Sequence, residues 1–159
     1  GENMIFGATP DELDRIDQKI LRELSMDGRM SIADLARRVG LSKSPAQVRV
    51  KRLQDQGYIA GFRAVLNPQK LGLEHVAFAE VKLSETTEKA LSAFNAAVLK
   101  VPEIEQCHMI AGSFDYLIKV RTSNIQSYRQ VLGEVISALP YVASTSTHVS
   151  MQSVKEASV

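Results

Sequence analysis

Up to about residue 57 the apolar positions of this chain recur every three to four residues; from residue 75 onward, stretches that alternate every two are interleaved with helical ones. Leu13, Ile16, Ile20, Leu21 and Leu24 line one helical face that ends near Gly28. The preceding Thr9-Pro10-Asp11-Glu12 has the make-up of a helix start, with a cap, a first-position proline and acids in the first turn. Ile32, Leu35, Ala36 and Val39 form a second stripe, capped by Ser31 with Asp34 completing a capping-box-like pair. Gly40 stands where a helix stop wants a residue tolerant of positive φ, and Leu41 follows as a plug. A third helix starts at Ser42 or Ser44, because Pro45 fits a first turn, where no intrahelical N–H bond is lost. Its inward seam is narrow, Ala46, Val50 and Leu53, and its other faces carry Lys43, Ser44, Gln47, Lys51 and Arg52. This is the layout of a helix-turn-helix whose last helix enters a DNA major groove. The β-rich stretch from Tyr58 to Leu66, broken by Gly61, then predicts a strand or wing, so residues 9–66 read as a winged helix-turn-helix.

Asn67-Pro68-Gln69-Lys70-Leu71-Gly72 reads as a linker, which we extend to residues 67–74. His75 to Leu83 alternates as a strand, with Val76, Phe78, Glu80 and Lys82 on one side and Ala77, Ala79, Val81 and Leu83 on the other. Thr86 to Val101 is helical through Leu91, Phe94, Val98 and Val101, and Pro102 stops it. Ile104 to Ala111 and Phe114 to Arg121 are β runs joined at Gly112-Ser113. Asn124 to Leu139 is a second amphipathic helix, with Ile125, Tyr128, Leu132, Val135 and Leu139 inward, and Val142 to Val154 is a final strand. The order β-α-β-β-α-β over residues 75–156 is the ferredoxin-like arrangement, giving an α+β fold class for the whole chain. Such a sheet has helices on one face only, so a second subunit is expected to cover the other, most simply in a two-fold dimer. Residues 1–8 show no periodicity and read as a disordered or tag-derived tail.

Charge changes this picture by separating the halves. Ser31 to Arg52 holds six cations (Arg37, Arg38, Lys43, Arg49, Lys51 and Arg52) against Asp34 alone, although the whole chain carries only +1. A phosphate backbone rewards such a concentration through counterion release. From Asn67 onward eight Lys/Arg face nine Asp/Glu, which gives that half no electrostatic reason to touch DNA. No apolar run approaches the ~18 residues of a membrane span, and a single cysteine, Cys107, leaves no internal disulfide and no cysteine-rich zinc site. A reducing, cytoplasmic setting is the simplest expectation, and no cofactor or metal is called for.

Base reading needs side chains that reach groove edges, while phosphate contacts set position. Ser44, Gln47, Val48 and Lys51 project opposite the seam; Gln47 can pair with adenine and Val48 can meet a thymine methyl. Lys43, Arg37 and Arg52 suit phosphates, and Arg49 either touches DNA or braces the helix. In the second half, Gly112-Ser113-Phe114-Asp115-Tyr116 is either a plain hairpin turn or a place where a small zwitterion docks. Glycine permits close approach, turn N–H groups hold a carboxylate, and Asp115 receives an ammonium. An enzyme is the rival class, but His75, His108 and His148 fall on separate predicted strands and no P-loop, GxSxG or HExxH is present. A broadly binding nucleoid protein is the second rival.

Four blocks taken together resemble the Lrp/AsnC (feast/famine) transcriptional regulators: LDRIDQKILRELSMDGR (13–29), LARRVGLSKSPAQVRVKRLQDQGYI (35–59), IEQCHMIAGSFDYLIKVRT (104–122) and YRQVLGEVISALPYV (128–142). The resemblance runs from about Leu13 to Lys155. It implies a winged helix-turn-helix, an amino-acid-binding ferredoxin-like domain, and assembly into dimers and often octamers. It also implies an effector lying between subunits, near the positions Met109, Gly112, Asp115, Ile125, His148, Val149 and Ser150. FRAVLNPQKLGLEHVAF and STSTHVSMQSVKE look closest to proline-utilisation regulators, which activate proline dehydrogenase genes in response to proline. Leucine-responsive members carry two consecutive valines where this chain has Val149-Ser150, and an aromatic in place of His148. Those departures favour an effector smaller or more polar than leucine.

Overall fold

The computed structural model describes residues 6–9 and 11–157, and the chain divides between Val65 and Leu66 into two compact units. In the first unit three helices pack around one small core: α1 (Arg15–Met26), α2 (Ile32–Val39) and α3 (Lys43–Asp55). Leu13, Ile20, Leu35, Val39 and Leu53 are buried there, with Ile16, Leu21, Leu24, Leu41, Val50 and Ile59 packed against them. The stripes expected from periodicity are therefore the faces that meet.

Helix α1 starts later than Thr9-Pro10 suggested. Asp14 is its cap: the Asp14 carboxylate accepts the Asp17 N–H (2.8 Å), and the Asp17 carboxylate accepts the Asp14 N–H (3.4 Å). This reciprocal box satisfies two of the helix's orphan donors at once, where a lone threonine satisfies one. Residues 11–13 form a separate turn instead, with the Leu13 N–H donating to the Thr9 carbonyl (2.9 Å). Pro10 and residues 1–5 of the expected tail lie outside the described residues.

Ser31 caps α2 through the Asp34 N–H (3.1 Å), but Asp34 does not complete a box; its carboxylate turns to Arg37 (2.6 Å). Gly40 ends α2 in the left-handed region (φ 77°), where it and Leu41 both donate to the Ala36 carbonyl. Ser42 is the cap residue of α3, which leaves Pro45 within the first turn. The stretch expected as a strand or wing, Tyr58 to Leu66, contains no strand in the single chain. A strand needs a neighbouring ladder, and this stretch finds none among the described residues; Val65 is 96% exposed.

The second unit is a four-stranded antiparallel sheet in the order β2-β3-β1-β4, built from β1 (His75–Leu83), β2 (Ile104–Met109), β3 (Tyr116–Thr122) and β4 (Val142–Val149). Two helical segments join the strands, α4 (Glu88–Val98), capped by Thr87, and α5 (Ile125–Val131), capped by Asn124. Ala77, Ala79, Val81, Leu83, Ile118 and Val120 pack against Phe94, Val98, Tyr128 and Ile136 in the core. Phe94 and Tyr116 rings lie 4.3 Å apart at its centre.

The helix expected over 124–139 changes character part-way. After Val131 it widens into a π-helical turn, Leu132–Ile136, closed by the Ser137 N–H on the Leu132 carbonyl (2.9 Å). One extra residue per turn rotates the inward face, so Ile136 rather than Val135 becomes fully buried. The last strand also stops earlier than predicted, at Val149 rather than Val154. Among the described residues no helix is long and apolar enough to cross a membrane.

Candidate DNA interface and effector site

Helix α3 buries Ala46 and Leu53 and leaves Lys43, Ser44, Gln47 and Val48 exposed. Val48 is 67% exposed, an unusual position for a β-branched apolar side chain on a helix interior and one suited to a thymine methyl. The cations around it differ in how firmly they are held. Arg37 pairs with Asp34, and Lys51 pairs with Asp55 (2.9 Å), between side chains at least half exposed. Such exposed pairs contribute about 0–1 kcal/mol and exchange readily for a phosphate. Arg38 meets Glu23 (3.5 Å), whereas Lys43 has no acidic partner among the described residues.

Arg49 and Arg52 stand apart. Both point back to Asp17, an acid of α1 that is only 1% exposed. Arg49 Nη1 donates to Asp17 Oδ1 (3.0 Å) and to Asp14 Oδ2 (2.6 Å), and Arg52 Nη2 pairs with the other Asp17 oxygen. Leaving a buried carboxylate unpaired costs about 3–5 kcal/mol, so these contacts are held far harder than the exposed ones. Burial pushes the Asp14 carboxyl up, but the Arg49 hydrogen bond, the Asp17 N–H and two guanidinium charges outweigh it and hold it below the ordinary value. The hydrogen bond to Asp14 raises Arg49 correspondingly. Pattern reading missed Asp17, though a signal was present: it interrupts the apolar face of α1 between Leu13 and Ile20.

In the second unit the candidate effector residues fall into two groups. Gly112 and Asp115 occupy the β2–β3 turn beside Met109, with the Ile110 N–H donating to the Asp115 carbonyl (2.8 Å). The Asp115 N–H donates to Val81 O (2.9 Å), and its Oδ2 accepts the Leu83 N–H (2.7 Å). Gly112 is not in the left-handed region, and a Cβ built there would meet Ile110 in ordinary contact at 3.5 Å. The chain itself therefore does not require glycine at this position.

His148, Val149 and Ser150 meet β1 at its opposite end: Val149 is in register with Ala77, and the Ser150 N–H donates to Val76 O (2.9 Å). Ile125 begins α5 just after β3 ends, and β3 closes against the same end of β1 through Thr122 and His75. From Leu83 and Val81 to Ala77 and Val76 is four to seven residues of extended strand, roughly 13–23 Å. One protomer does not bring the two groups together. Each group does present apolar side chains to solvent, Met109 (57% exposed) in one and Ile125 and Val149 (41% and 48%) in the other.

The helix-free face of the sheet mixes the apolar Val76, Phe78 and Leu117 with charges that pair among themselves. His148 Nε2 lies 2.5 Å from Glu80 Oε2. Lys119, 7% exposed, is bracketed by Glu105 (2.9 Å) and Glu156, and Arg121 pairs with the same two acids. The hydrogen bond from Arg121 holds Glu105 below its ordinary range, and that from Lys119 does the same for Glu156. Burial pushes the Cys107 thiol up, the reverse of what a nucleophile needs.

Comparison with known proteins agrees with both halves. Residues 13–60 match a winged helix-turn-helix DNA-binding domain, and residues 76–159 match the Lrp/AsnC ligand binding domain. The chain belongs to the Lrp/AsnC family. It is 68% identical over 149 residues to a proline dehydrogenase transcriptional activator of Rhizobium radiobacter, covering 94% of this chain and 96% of that one. It is 46% identical over 145 residues to the leucine-responsive regulatory protein of Escherichia coli K12, covering 91% and 88%. Its fold superposes with a TM-score of 0.86, at 29% identity and covering 91% and 94%, on a transcriptional regulator of Neisseria meningitidis solved with L-Met. This Lrp/AsnC protein is an amino-acid-responsive DNA-binding transcriptional regulator, not an enzyme. The winged-helix match spans Tyr58 to Ala60, the start of the stretch that forms no strand in the single chain.

Proposed function

We propose that this Lrp/AsnC regulator reads promoter DNA with α3 and is switched by proline bound at a site shared between subunits. Ser44, Gln47, Val48 and Lys51 face base edges, while Lys43 and Arg37 neutralise phosphates. Met109, Gly112 and Asp115 of one subunit and Ile125, His148, Val149 and Ser150 of another enclose the effector. The observation that carries this reading is the separation of those two groups along β1: a ligand touching both requires a second copy of the chain. The glycine at 112 fits the same reading, since close approach from outside is the remaining reason for a missing Cβ.

A homodimer, assembling further to an octamer in a cytoplasmic setting, supplies that second copy. An effector that bridges subunits binds one assembly better than another, and it shifts the population only by that difference in affinity. Spacing between DNA half-sites then changes without contact between effector and DNA. Proline suits Asp115 as a secondary ammonium and suits the smaller, more polar Val149-Ser150 end. Similarity to proline dehydrogenase activators points the same way.

Calorimetric titration of the purified protein with each amino acid tests the proposal. Proline is expected to bind most tightly and to change retardation of a proline dehydrogenase promoter fragment. Leucine binding more tightly than proline overturns it.

A further inference from the structure

We propose that Asp17 is a positioning residue for DNA reading: it ties Arg49 and Arg52 of the recognition helix to α1 and so withholds both guanidiniums from DNA. The inference rests on the reading of α3 as the groove helix and adds what sets its rotation. Three contacts converge on one point. Asp17 is 1% exposed; one of its oxygens accepts from Arg49 (3.0 Å), and the other takes Arg52. Arg49 also reaches Asp14 (2.6 Å), and Asp14 and Asp17 together form the capping box that starts α1.

The two arginines lie three residues apart, on adjoining turns of α3, so a shared buried anchor fixes both the depth of the helix and its rotation about its own axis. The apolar seam by itself holds this rotation loosely, because only Ala46 and Leu53 are fully buried and one of them is a methyl group. With the rotation fixed, Gln47 and Val48 point outward. The local excess of positive charge therefore divides by role. Lys43 and Arg37 are unpaired or weakly paired and available to phosphates, and Lys51 is weakly paired and available to base edges, whereas Arg49 and Arg52 are held by the carboxylates of Asp17 and Asp14.

The test uses the full-length protein and two labelled duplexes, an operator the protein has selected from a random pool and a scrambled duplex of equal length. Binding is measured by anisotropy across a salt series. In Asp17→Asn the preference for operator over scrambled duplex is expected to fall by about tenfold, the scale of one lost base contact. The salt slope on the scrambled duplex stays the same or steepens, because two guanidiniums have been released. Arg49→Gln and Arg52→Gln are each expected to lower the preference and leave the scrambled-duplex slope unchanged. A residue that binds phosphate lowers that slope by about one when removed. Arg52→Lys, which keeps a single charged contact to Asp17, is expected to restore the preference.

A slope reduced by about one in either arginine variant overturns the proposal, as does an unchanged preference in Asp17→Asn. If Asp17→Asn fails to fold by circular dichroism, the arginine variants decide alone. A wild-type protein that prefers no duplex sinks the underlying assignment of α3, a failure that no variant is needed to see.

Discussion

The two units both contain buried or half-buried ion pairs, and they use them in opposite ways. In the first, an acid from beneath, Asp17, ties two arginines of α3 to α1 and leaves the rest of that helix open. In the second, Lys119, Arg121, Glu105 and Glu156 neutralise one another on the sheet face itself. The first arrangement leaves a net positive surface with a set orientation; the second leaves a balanced one that repels neither an acid nor a base. The difference shows that where the counter-charge sits matters more than how many charges there are.

Core size separates the units further, and the largest expected effects come from there. Phe94→Ala removes a fully buried ring packed against Tyr116 and is expected to cost about 3–5 kcal/mol. Leu53→Ala in the smaller core is expected to cost about 2–5 kcal/mol. Region-resolved hydrogen exchange should show each loss confined to its own unit; exchange rising equally in both would break the division.

At the candidate effector turn, Asp115→Asn keeps an acceptor for the Leu83 N–H but loses the charge. We expect amino-acid affinity to fall by about 1.5–3 kcal/mol, with DNA affinity in the absence of effector unmoved, as read by calorimetry and anisotropy. On the other unit, Gln47→Ala should relax base preference at one position of each half-site by about 1–3 kcal/mol. Lys43→Ala should weaken all duplexes alike and flatten the salt slope by about one. If the two variants behaved identically, the separation into readers and positioners would be lost.

The smallest effect is on pH. Glu105 and Glu156 have folded-state pKa values below their unfolded ones, so their pairs contribute fully above the unfolded value, about 4.3, and are lost as pH falls through the folded one. Thermal melts of Glu105→Gln should therefore differ from wild type at neutral pH and converge with it in acid. A gap that widened on acidification would show that these carboxylates are not what the basic pair depends on.

Much of this molecule was legible because its signals are local. Gly40 announced a left-handed stop, Ser31 a cap, and the alternation of His75 to Leu83 a strand with its two faces correctly divided. The misreadings share a cause. The π turn after Val131 adds a residue to a repeat that pattern reading assumes constant. The strand expected over Tyr58 to Leu66 was inferred from composition alone, although a strand exists only where another strand pairs with it. Asp17 was overlooked because its partners lie 32 and 35 residues away, beyond any local window.

The sequence by itself determined the helical stripes, the order of strands, the basic recognition helix and the family, because period, punctuation and residue type act over a few neighbours. Only the tertiary structure decided which cations are free and which are tethered, and that the candidate effector residues of one chain lie at opposite ends of a strand. Both depend on distances between segments far apart in the chain. Those distances are set by packing, which no single segment encodes.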